Sequence, residues 1–302
     1  MSFTSTVKNE VSKLEISEID SITELSAIIR NSGIIDKSIK ITTENASVAR
    51  RIFVLIKNLF NYASKITVRR GFNFNKNYIY IIEINQGINN IKQELSLDNV
   101  PKEFIYSDTD LKRAYLRGLF LSSGSVNDPK KSRYHLEFLV DNKEYAFFIN
   151  SLLNDNEFNL NSKVLKRENK YMVYIKESEK ISDFLRIIGA INAVFYYEDI
   201  RIYRDHKNMT NRLNNCEQAN VDKIIETANI QIKNIEKLEK NDMLDLLDEK
   251  TKEAAIYRKK YPEVSLTELS EIISIETGKK ITKSGIYHRI KKIETLANKI
   301  KN

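Results

Sequence analysis

One short pattern occurs twice in this 302-residue chain, and it limits the folds that the chain can adopt. The first copy is Leu25–Gly33 (LSAIIRNSG) and the second is Leu116–Gly124 (LRGLFLSSG). Both carry a leucine first, a small residue third, a serine eighth and a glycine last. Such a repeat predicts two related halves whose equivalent helices pack on each other. The small Ala27 and Gly118 would let the two backbones approach closely, and the final glycines are predicted to end each helix in the left-handed conformation.

The predicted elements around the two copies repeat as well. In each half a helix is followed by a strand, a second helix, two strands and a closing helix, over residues 21–100 and 108–190. Ser21 and Glu24 have the spacing of a capping box that would begin the first repeat helix. The first pair of strands is predicted to turn at residues 71–76. The pattern therefore predicts an α+β domain over 21–190 with pseudo-twofold symmetry, preceded by an N-terminal helix within residues 1–20.

The repeated stretch resembles the LAGLIDADG helix of homing endonucleases, whose eighth position is an acidic residue that binds a divalent metal. Here the eighth positions are Ser32 and Ser123, and a neutral hydroxyl supplies no charge to hold Mg²⁺. The resemblance implies two curved sheets that form a saddle over DNA, while the two serines imply that the nuclease chemistry is lost. We therefore expect no catalytic residue, metal or cofactor. The nearest acids, Asp36 and Asp128, are better explained by capping or turn formation.

Basic residues are predicted on or beside the saddle, although ordinary solvated positions explain them equally well. They are Lys37, Arg69, Arg70, Lys76, Lys130, Lys131, Arg133, Lys163, Lys166 and Arg167.

The composition favours a soluble chain with a polyanionic partner. The formal net charge is +8 and the isoelectric point is about 9.2, which indicates affinity for nucleic acid. The single cysteine, Cys216, fits a reducing compartment. The N-terminus lacks the apolar core of a signal peptide, and no segment approaches the roughly 18 apolar residues of a membrane helix. We therefore expect a cytoplasmic protein without a membrane partner. Neither a Gly-rich phosphate loop nor Cys/His metal spacing occurs. No small-molecule substrate is expected.

Residues 191–246 are predicted to form a helical connector and residues 247–302 a separate all-α domain. Within that domain, a helix-turn-helix is expected at about 264–297. Ser265 and Glu268 form a capping box at the start of its second helix, and Gly278 is placed to end that helix. Thr282 or Ser284 would then cap a third helix.

This third helix has an apolar face and an opposite polar, basic face. Ile286, Ile290 and Ile293 share the apolar face. Such a helix would lie in the major groove with its N-terminal residues touching base edges; the alternative is a three-helix interaction module with solvated lysines. The predicted DNA-binding residues are Ser265, Thr267, Lys280, Lys283, Ser284, Tyr287, His288, Arg289, Lys291 and Lys292.

The combination of both parts resembles the WhiA family of bacterial transcriptional regulators over nearly the whole chain. The stretches that carry the resemblance are Ser2-Phe3 with Val7-Lys8, Thr43–Asn45 with Ala49–Arg51, Tyr115–Gly118, Gly124–Asn127, Tyr134–Glu137, Glu198–Arg201, Asn211–Leu213, Asn215–Glu217 with Ala219-Asn220, and Lys283–Gly285 with His288-Arg289.

The resemblance implies sequence-specific binding of double-stranded DNA, a role in cell division and chromosome segregation, nucleoid association and no nuclease activity. The first domain is left with two roles, weak DNA contact or docking of a protein such as a sigma factor. Two alternatives remain: a nucleoid-associated protein that acts mainly through protein partners, and an active metal-dependent endonuclease. Family members often have asparagine where this chain has Tyr287, and tyrosine cannot make the bidentate contact of asparagine with adenine. The operator is therefore not transferred from the family.

Overall fold

The computed structural model describes residues 2–70, 78–97 and 100–300. It divides the chain into two compact units, Met1–Arg204 and Asp205–Asn302. The predicted turn at residues 71–76, including Lys76, lies outside the described residues. In the described part of the chain, no helix is both long and apolar enough to cross a membrane.

The first unit contains the predicted duplication. Its first half consists of α1 (Phe3–Val11), α2 (Glu18–Ser32), β1 (Gly33–Ile35), β2 (Ile39–Thr43), α3 (Ala46–Phe60), β3 (Ser64–Arg70), β4 (Tyr78–Ile84) and α4 (Ile88–Glu94). Its second half consists of α5 (Thr109–Ser123), β5 (Gly124–Val126), β6 (Leu136–Val140), α6 (Lys143–Leu153), β7 (Lys163–Arg167), β8 (Lys170–Ile175) and α7 (Ser178–Ile187). The strands form two antiparallel sheets of identical order, β1-β2-β4-β3 and β5-β6-β8-β7. The predicted α+β fold with a repeated half is confirmed.

Helices α2 and α5 pack directly against each other along the repeated pattern. A Cβ placed on Gly118 would lie under 3.0 Å from the carbonyl oxygen of Glu24 and 3.0 Å from Cβ of Ala27. Real Cβ atoms essentially never approach backbone that closely, so only glycine allows this crossing. The predicted close approach at Ala27 and Gly118 is confirmed.

The role predicted for the two final glycines is wrong. Gly33 and Gly124 have extended backbone, with φ of −90° and −71°, and they are the first residues of β1 and β5. Space is what requires glycine there: a Cβ on Gly33 would lie 2.5 Å from the Ile29 carbonyl oxygen, and one on Gly124 would lie 2.7 Å from Cα of Phe120. The chain therefore passes directly from each repeat helix into a sheet.

The predicted capping box at Ser21 and Glu24 is also wrong. Helix α2 begins earlier, because the Ser17 side chain accepts a hydrogen bond from the Asp20 backbone N–H. Glu24 instead lies fully buried between two arginines, with its carboxylate 2.8 Å from Nε of Arg51 and 2.6 Å from Nε of Arg117. The two pairs join α2 to α3 and to α5. Charge neutralisation, not capping, explains an acid at this position.

The second unit is helical and has a core of its own. Helix α8 (Ile191–Lys240) runs through the boundary between the units and is followed by α9 (Glu249–Lys260), α10 (Leu266–Thr277) and α11 (Lys283–Ala297). Most of the helical connector predicted at 191–246 is thus one continuous helix. The core of the unit includes Ile235, Leu238, Leu269 and Ile286.

Candidate nucleic-acid interface

Helix α11 has the two faces that its sequence predicts. The Thr282 side chain caps its start by accepting a 3.2 Å hydrogen bond from the Gly285 N–H. Ile286, Ile290 and Ile293 are buried in the core of the second unit. These three side chains therefore fix the rotation of α11 about its axis and direct the opposite face to solvent. The predicted apolar face is confirmed.

The turn before α11 is held by local hydrogen bonds. Helix α10 starts with the predicted capping box of Ser265 and Glu268, and it ends at Gly278 with a left-handed φ of 66°. The Ser274 hydroxyl accepts a 2.9 Å bond from the Ile281 N–H and donates to the Ser270 carbonyl at 2.6 Å. Since these bonds join α10 to the entry of α11, the pair forms a defined helix-turn-helix geometry.

The structure places the predicted contact residues in two groups. The exposed residues are Thr267, Lys280, Lys283, Ser284, Tyr287, His288, Lys291 and Lys292. Ser265 and Arg289 are partly buried. The Ser265 hydroxyl is engaged in its capping box, and Arg289 lies 3.2 Å from a carboxylate oxygen of Glu253 on α9. Arg289 therefore joins two helices of the domain.

Four exposed residues form the outer face of α11, which we call the reading face: Ser284, Tyr287, His288 and Lys291. Their spacing of three or four residues places them on one side of the helix. The rings of Tyr287 and His288 meet edge to face, with centroids 5.7 Å apart. The reading face thus combines hydroxyl, imidazole and ammonium groups that can donate to or accept from base edges.

Lysines lie on and around the reading face, and only some of them are paired with a carboxylate of the described residues. Lys291 lies 3.1 Å from Glu294, which raises the pKa of the ammonium through a hydrogen bond, and Lys292 lies 3.5 Å from Asp248. Among the described residues, no carboxylate lies within 4.0 Å of the Lys280 or Lys283 ammonium groups. When exposed lysines neutralise DNA phosphates, the counter-ions condensed on the DNA are released, and this release favours binding.

Arg258 supports this geometry and was missed in the sequence. It is buried, and it donates hydrogen bonds to the carbonyls of Val264, at 2.8 Å, and Tyr261, at 3.3 Å. These bonds hold the turn between α9 and α10, and burial lowers the pKa of the guanidinium. A signal exists in the sequence: Arg258 follows the buried Ala254 and Ala255 at helical spacing, and so lies on the inward face of α9.

The basic residues predicted for the saddle do not form one surface. By the register of the first sheet, Arg69 shares the open face with Lys40 and Lys65, whereas Arg70 points to the other side. In the second sheet Lys163 and Arg167 lie on the open face and Lys166 on the opposite one. Lys130, Lys131 and Arg133 lie in the loop before β6, and Lys37 lies in the turn before β2.

The open faces also carry exposed apolar side chains. Ile34 is 72% exposed on the first sheet, and Leu165 is 51% exposed on the second. Leu139 is exposed on the same face as Leu165. Apolar side chains are typical of protein contacts, while phosphate backbone is contacted by charged and polar groups.

Ser32 and Ser123, the eighth residues of the two repeats, are both engaged within their own helices. The Ser32 hydroxyl donates to the Ile28 carbonyl at 2.8 Å, and the Ser123 hydroxyl donates to the Leu119 carbonyl at 3.3 Å. The Asp128 carboxylate accepts from the Lys130 N–H at 2.9 Å, as a turn requires. In the described ranges, no three or more His, Cys, Asp or Glu residues are grouped so that they could hold a metal ion.

Three family models match successive parts of the chain. The WhiA N-terminal LAGLIDADG-like domain matches residues 18–98, the WhiA LAGLIDADG-like domain matches 112–207 and the WhiA C-terminal HTH domain matches 210–297. A protein of Bacillus cytotoxicus named "Probable cell division protein WhiA" is 44% identical over 314 residues, covering 100% of this chain and 98% of its own.

Two solved structures extend the likeness to three dimensions. Full-length DUF199/WhiA from Thermatoga maritima is similar over 100% of both chains, with a TM-score of 0.60 and 27% identity. The N-terminal LAGLIDADG domain of DUF199/WhiA matches 62% of this chain and 92% of its own, with a TM-score of 0.51 and 26% identity. These likenesses include both units of the chain.

Proposed function

This chain belongs to the WhiA family, and from that premise we propose that it is a sequence-specific DNA-binding regulator of transcription with a role in cell division and chromosome segregation. The observation that carries the proposal is the reading face of α11. It is exposed, its orientation is fixed by buried isoleucines, and it is flanked by Lys280 and Lys283, for which the described residues supply no carboxylate within 4.0 Å. Such a protein would work in the cytoplasm, associated with the nucleoid.

In this proposal α11 lies in the major groove. His288 and Tyr287, near its N-terminal end, meet base edges, and Ser284 and Lys291 lie one turn before and after them. Lys280, Lys283 and Lys292 contact phosphates and fix the register of the domain on the duplex. Arg289 is assigned to the support of α11, because its guanidinium is already paired with Glu253.

Loss of nuclease activity is part of the proposal. Ser32 and Ser123 have neutral hydroxyls that donate to helix carbonyls, and neither position offers Mg²⁺ the carboxylate ligand that it prefers. We expect supercoiled plasmid to stay intact after incubation of the full chain with Mg²⁺ or Mn²⁺. Cleavage that depends on metal and on this chain would instead identify an active endonuclease.

For the first unit we propose docking of a protein, such as a sigma factor or another transcription protein. The exposed Ile34, Leu139 and Leu165 on the open sheet faces support this role. Pull-down from a defined transcription mixture should lose the partner when Leu165 is replaced by glutamate. If Ile34→Glu and Leu165→Glu variants capture the same transcription proteins as the native chain, docking through these faces is wrong.

A second candidate function is nucleoid-associated binding without sequence choice. It is favoured by Lys280 and Lys283, because no carboxylate of a described residue competes with phosphate for their ammonium groups. The two functions differ in the value of a correct base pair, which is about 1–3 kcal/mol for specific recognition and near zero otherwise.

Selection of genomic fragments by the full chain, followed by anisotropy titration, tests the choice. We expect His288→Ala to flatten the preference among sites, and Lys283→Ala to weaken all DNA and reduce the slope of log K against log salt by about 0.9. Lys250→Ala, at an exposed position of α9, is the matched control for lost charge. An unchanged site preference in His288→Ala would contradict the assignment of the reading face.

A further inference from the structure

A cavity in the first unit is not used by the proposed function. Its volume is about 820 Å³. Helix α1, the end of β2, the start of α3 and the end of α5 meet around it. The lining residues are Ser2, Thr4, Ser5, Lys8, Thr42, Thr43, Glu44, Asn45, Ile79 and Ser122. Cavities of this size hold small organic ligands.

Lys8 is the cation of this cavity, and the described residues supply no counter-ion for it. In the described part of the chain, no acceptor lies within hydrogen-bond distance of its ammonium and no carboxylate lies within 4.0 Å. The nitrogen lies 5.7 Å from the centroid of the Phe120 ring, and burial lowers the pKa of the ammonium to about 8. A desolvated cation without an acceptor costs folding free energy, so such groups concentrate at binding sites.

Three hydroxyls of the same cavity each accept one hydrogen bond and donate none to any residue that the structure describes. The oxygen of Ser2 accepts from the Ser5 N–H at 3.2 Å, that of Ser5 accepts from the Asn45 side-chain amide at 3.3 Å, and that of Thr43 accepts from the Asn45 N–H at 3.2 Å. Each oxygen already receives a hydrogen, so its own O–H is directed elsewhere. Together with Lys8, these groups present donors that match an acceptor-only ligand.

Two other lining hydroxyls are occupied and do not add donors. Thr4 donates to the Val126 carbonyl at 2.8 Å and accepts from its N–H at 2.9 Å. Ser122 donates to the Gly118 carbonyl at 3.0 Å. Glu44 is the one carboxylate among the lining residues, and it is exposed. Lys8, Ser5 and Thr43 are partly buried, whereas Ser2 and the acid Glu44 are exposed, where solvent screens the negative charge.

We propose that this cavity binds the phosphate group of a small phosphate ester, with the Lys8 ammonium as its counter-ion and the hydroxyls of Ser2, Ser5 and Thr43 as neutral donors. A phosphate offers several acceptor oxygens and strong negative charge, which is what this set of donors lacks. The volume exceeds that of the phosphate alone and leaves room for the esterified group. The site would give the first unit a ligand that is independent of DNA binding by α11.

Phosphate in DNA has the same chemistry, so the experiment separates the two sources. Inorganic phosphate and ribose 5-phosphate are titrated into the full chain, with sodium chloride at matched ionic strength as reference, and binding is followed by calorimetry and by the melting temperature. A short DNA duplex forms the other arm. We expect saturable binding of ribose 5-phosphate. If only the duplex bound in a Lys8-dependent way, the small-molecule site would be overturned.

Variants identify the residues. Lys8→Met should weaken ribose 5-phosphate by at least about tenfold, as expected for loss of a charge-assisted hydrogen bond. Ser5→Ala should weaken it less, and Glu44→Gln should strengthen it by removing a like charge. Lys13→Met, at an exposed position after α1, is the matched control and should bind as the native chain does. Binding that is equal in Lys8→Met and Lys13→Met, with both variants folded by circular dichroism, would refute the proposal.

Discussion

At the scale of single residues, Glu24 is the charge on which the first unit depends most. Its carboxylate is fully buried and pairs with both Arg51 and Arg117. Glu24→Gln leaves two arginines without a counter-ion inside the protein, so we expect the free energy of unfolding to fall by about 3–5 kcal/mol. Urea denaturation of the first-unit transition measures the loss.

An exposed ion pair provides the comparison for this substitution. Glu83 lies 3.3 Å from Lys40 on an open sheet face, where solvent reaches both side chains. Glu83→Gln should change the free energy of unfolding by less than about 1 kcal/mol. Similar losses for the two substitutions would show that burial does not govern the strength of the Glu24 pairs.

Replacement of Lys8 is expected to have the opposite effect to replacement of Glu24, because the Lys8 ammonium destabilises the folded protein when no ligand is bound. Burial lowers its pKa in the folded protein from the ordinary lysine value of 10.5 to about 8. Between these pH values the unfolded chain binds the proton and the folded chain does not, so stability should rise with pH across this window. Below pH 8 both states are charged and the full cost remains. Lys8→Met should therefore gain about 1–3 kcal/mol at pH 7 and lose the rise above pH 8.

The measurement is urea denaturation at pH 7 and at pH 9.5, without phosphate in the buffer. Lys13→Met is again the control, since its ammonium is exposed. A Lys8→Met variant that is less stable than the native chain at pH 7 would contradict the cost assigned to the buried ammonium.

At the scale of helices, the crossing of α2 and α5 depends on a missing side chain. Gly118→Ala introduces a Cβ that meets the backbone of α2, which cannot move aside as a flexible side chain can. We expect a loss of about 1–3 kcal/mol, although alanine is the better helix former. Thermal unfolding of the first unit is the measurement.

Gly285 in α11 is the matched control. A Cβ there would lie 3.5 Å from the Thr282 hydroxyl oxygen, which is ordinary contact. Gly285→Ala should therefore stabilise the second unit by roughly 0.5–1 kcal/mol, through helix propensity alone. If both alanines stabilise the protein, close packing of α2 on α5 is not what requires glycine.

Sequence patterns predicted helices and strands well where periodicity is long, and failed where tertiary contact decides. The faces of α11 and the alternation of β2 follow directly from their residues. Strands β1 and β5 have only three residues each, too few for an alternating pattern. Gly33 looked like a helix end because glycine has both conformational and steric uses, and only the position of Ile29 distinguishes them. The role of Glu24 was predicted wrongly because its arginine partners are distant in sequence. Arg258 was missed because its partners are backbone carbonyls.

At the scale of the whole chain, the middle of α8 lacks tertiary packing among the described residues. Every residue from Asp205 to Lys223 is exposed, and helices without tertiary packing are marginal. Each unit has its own core, so cutting between them should leave both folded. We expect brief digestion with trypsin to cut first at Lys207, Arg212 or Lys223.

Mass spectrometry of the fragments checks this prediction, and calorimetry of the intact chain should show two transitions. In a Lys207→Gln, Arg212→Gln double variant, trypsin should cut first at Lys223, or the rate of the first cleavage should fall. Early cleavage inside a packed helix such as α3, before any cut in 205–223, would contradict the order of local stability.

The repeated frame of the first unit also has a direction. Its two sheets share one strand order, yet their open faces differ: Lys40 and Glu83 pair on one, whereas His135 stacks on Tyr174 and pairs with Glu137 on the other. A partner rotated by 180° about the pseudo-twofold axis would meet a similar backbone, but its two ends would face exchanged sets of side chains. A molecule that spans both sheets is therefore expected to bind in one orientation only, because its two ends meet different side chains.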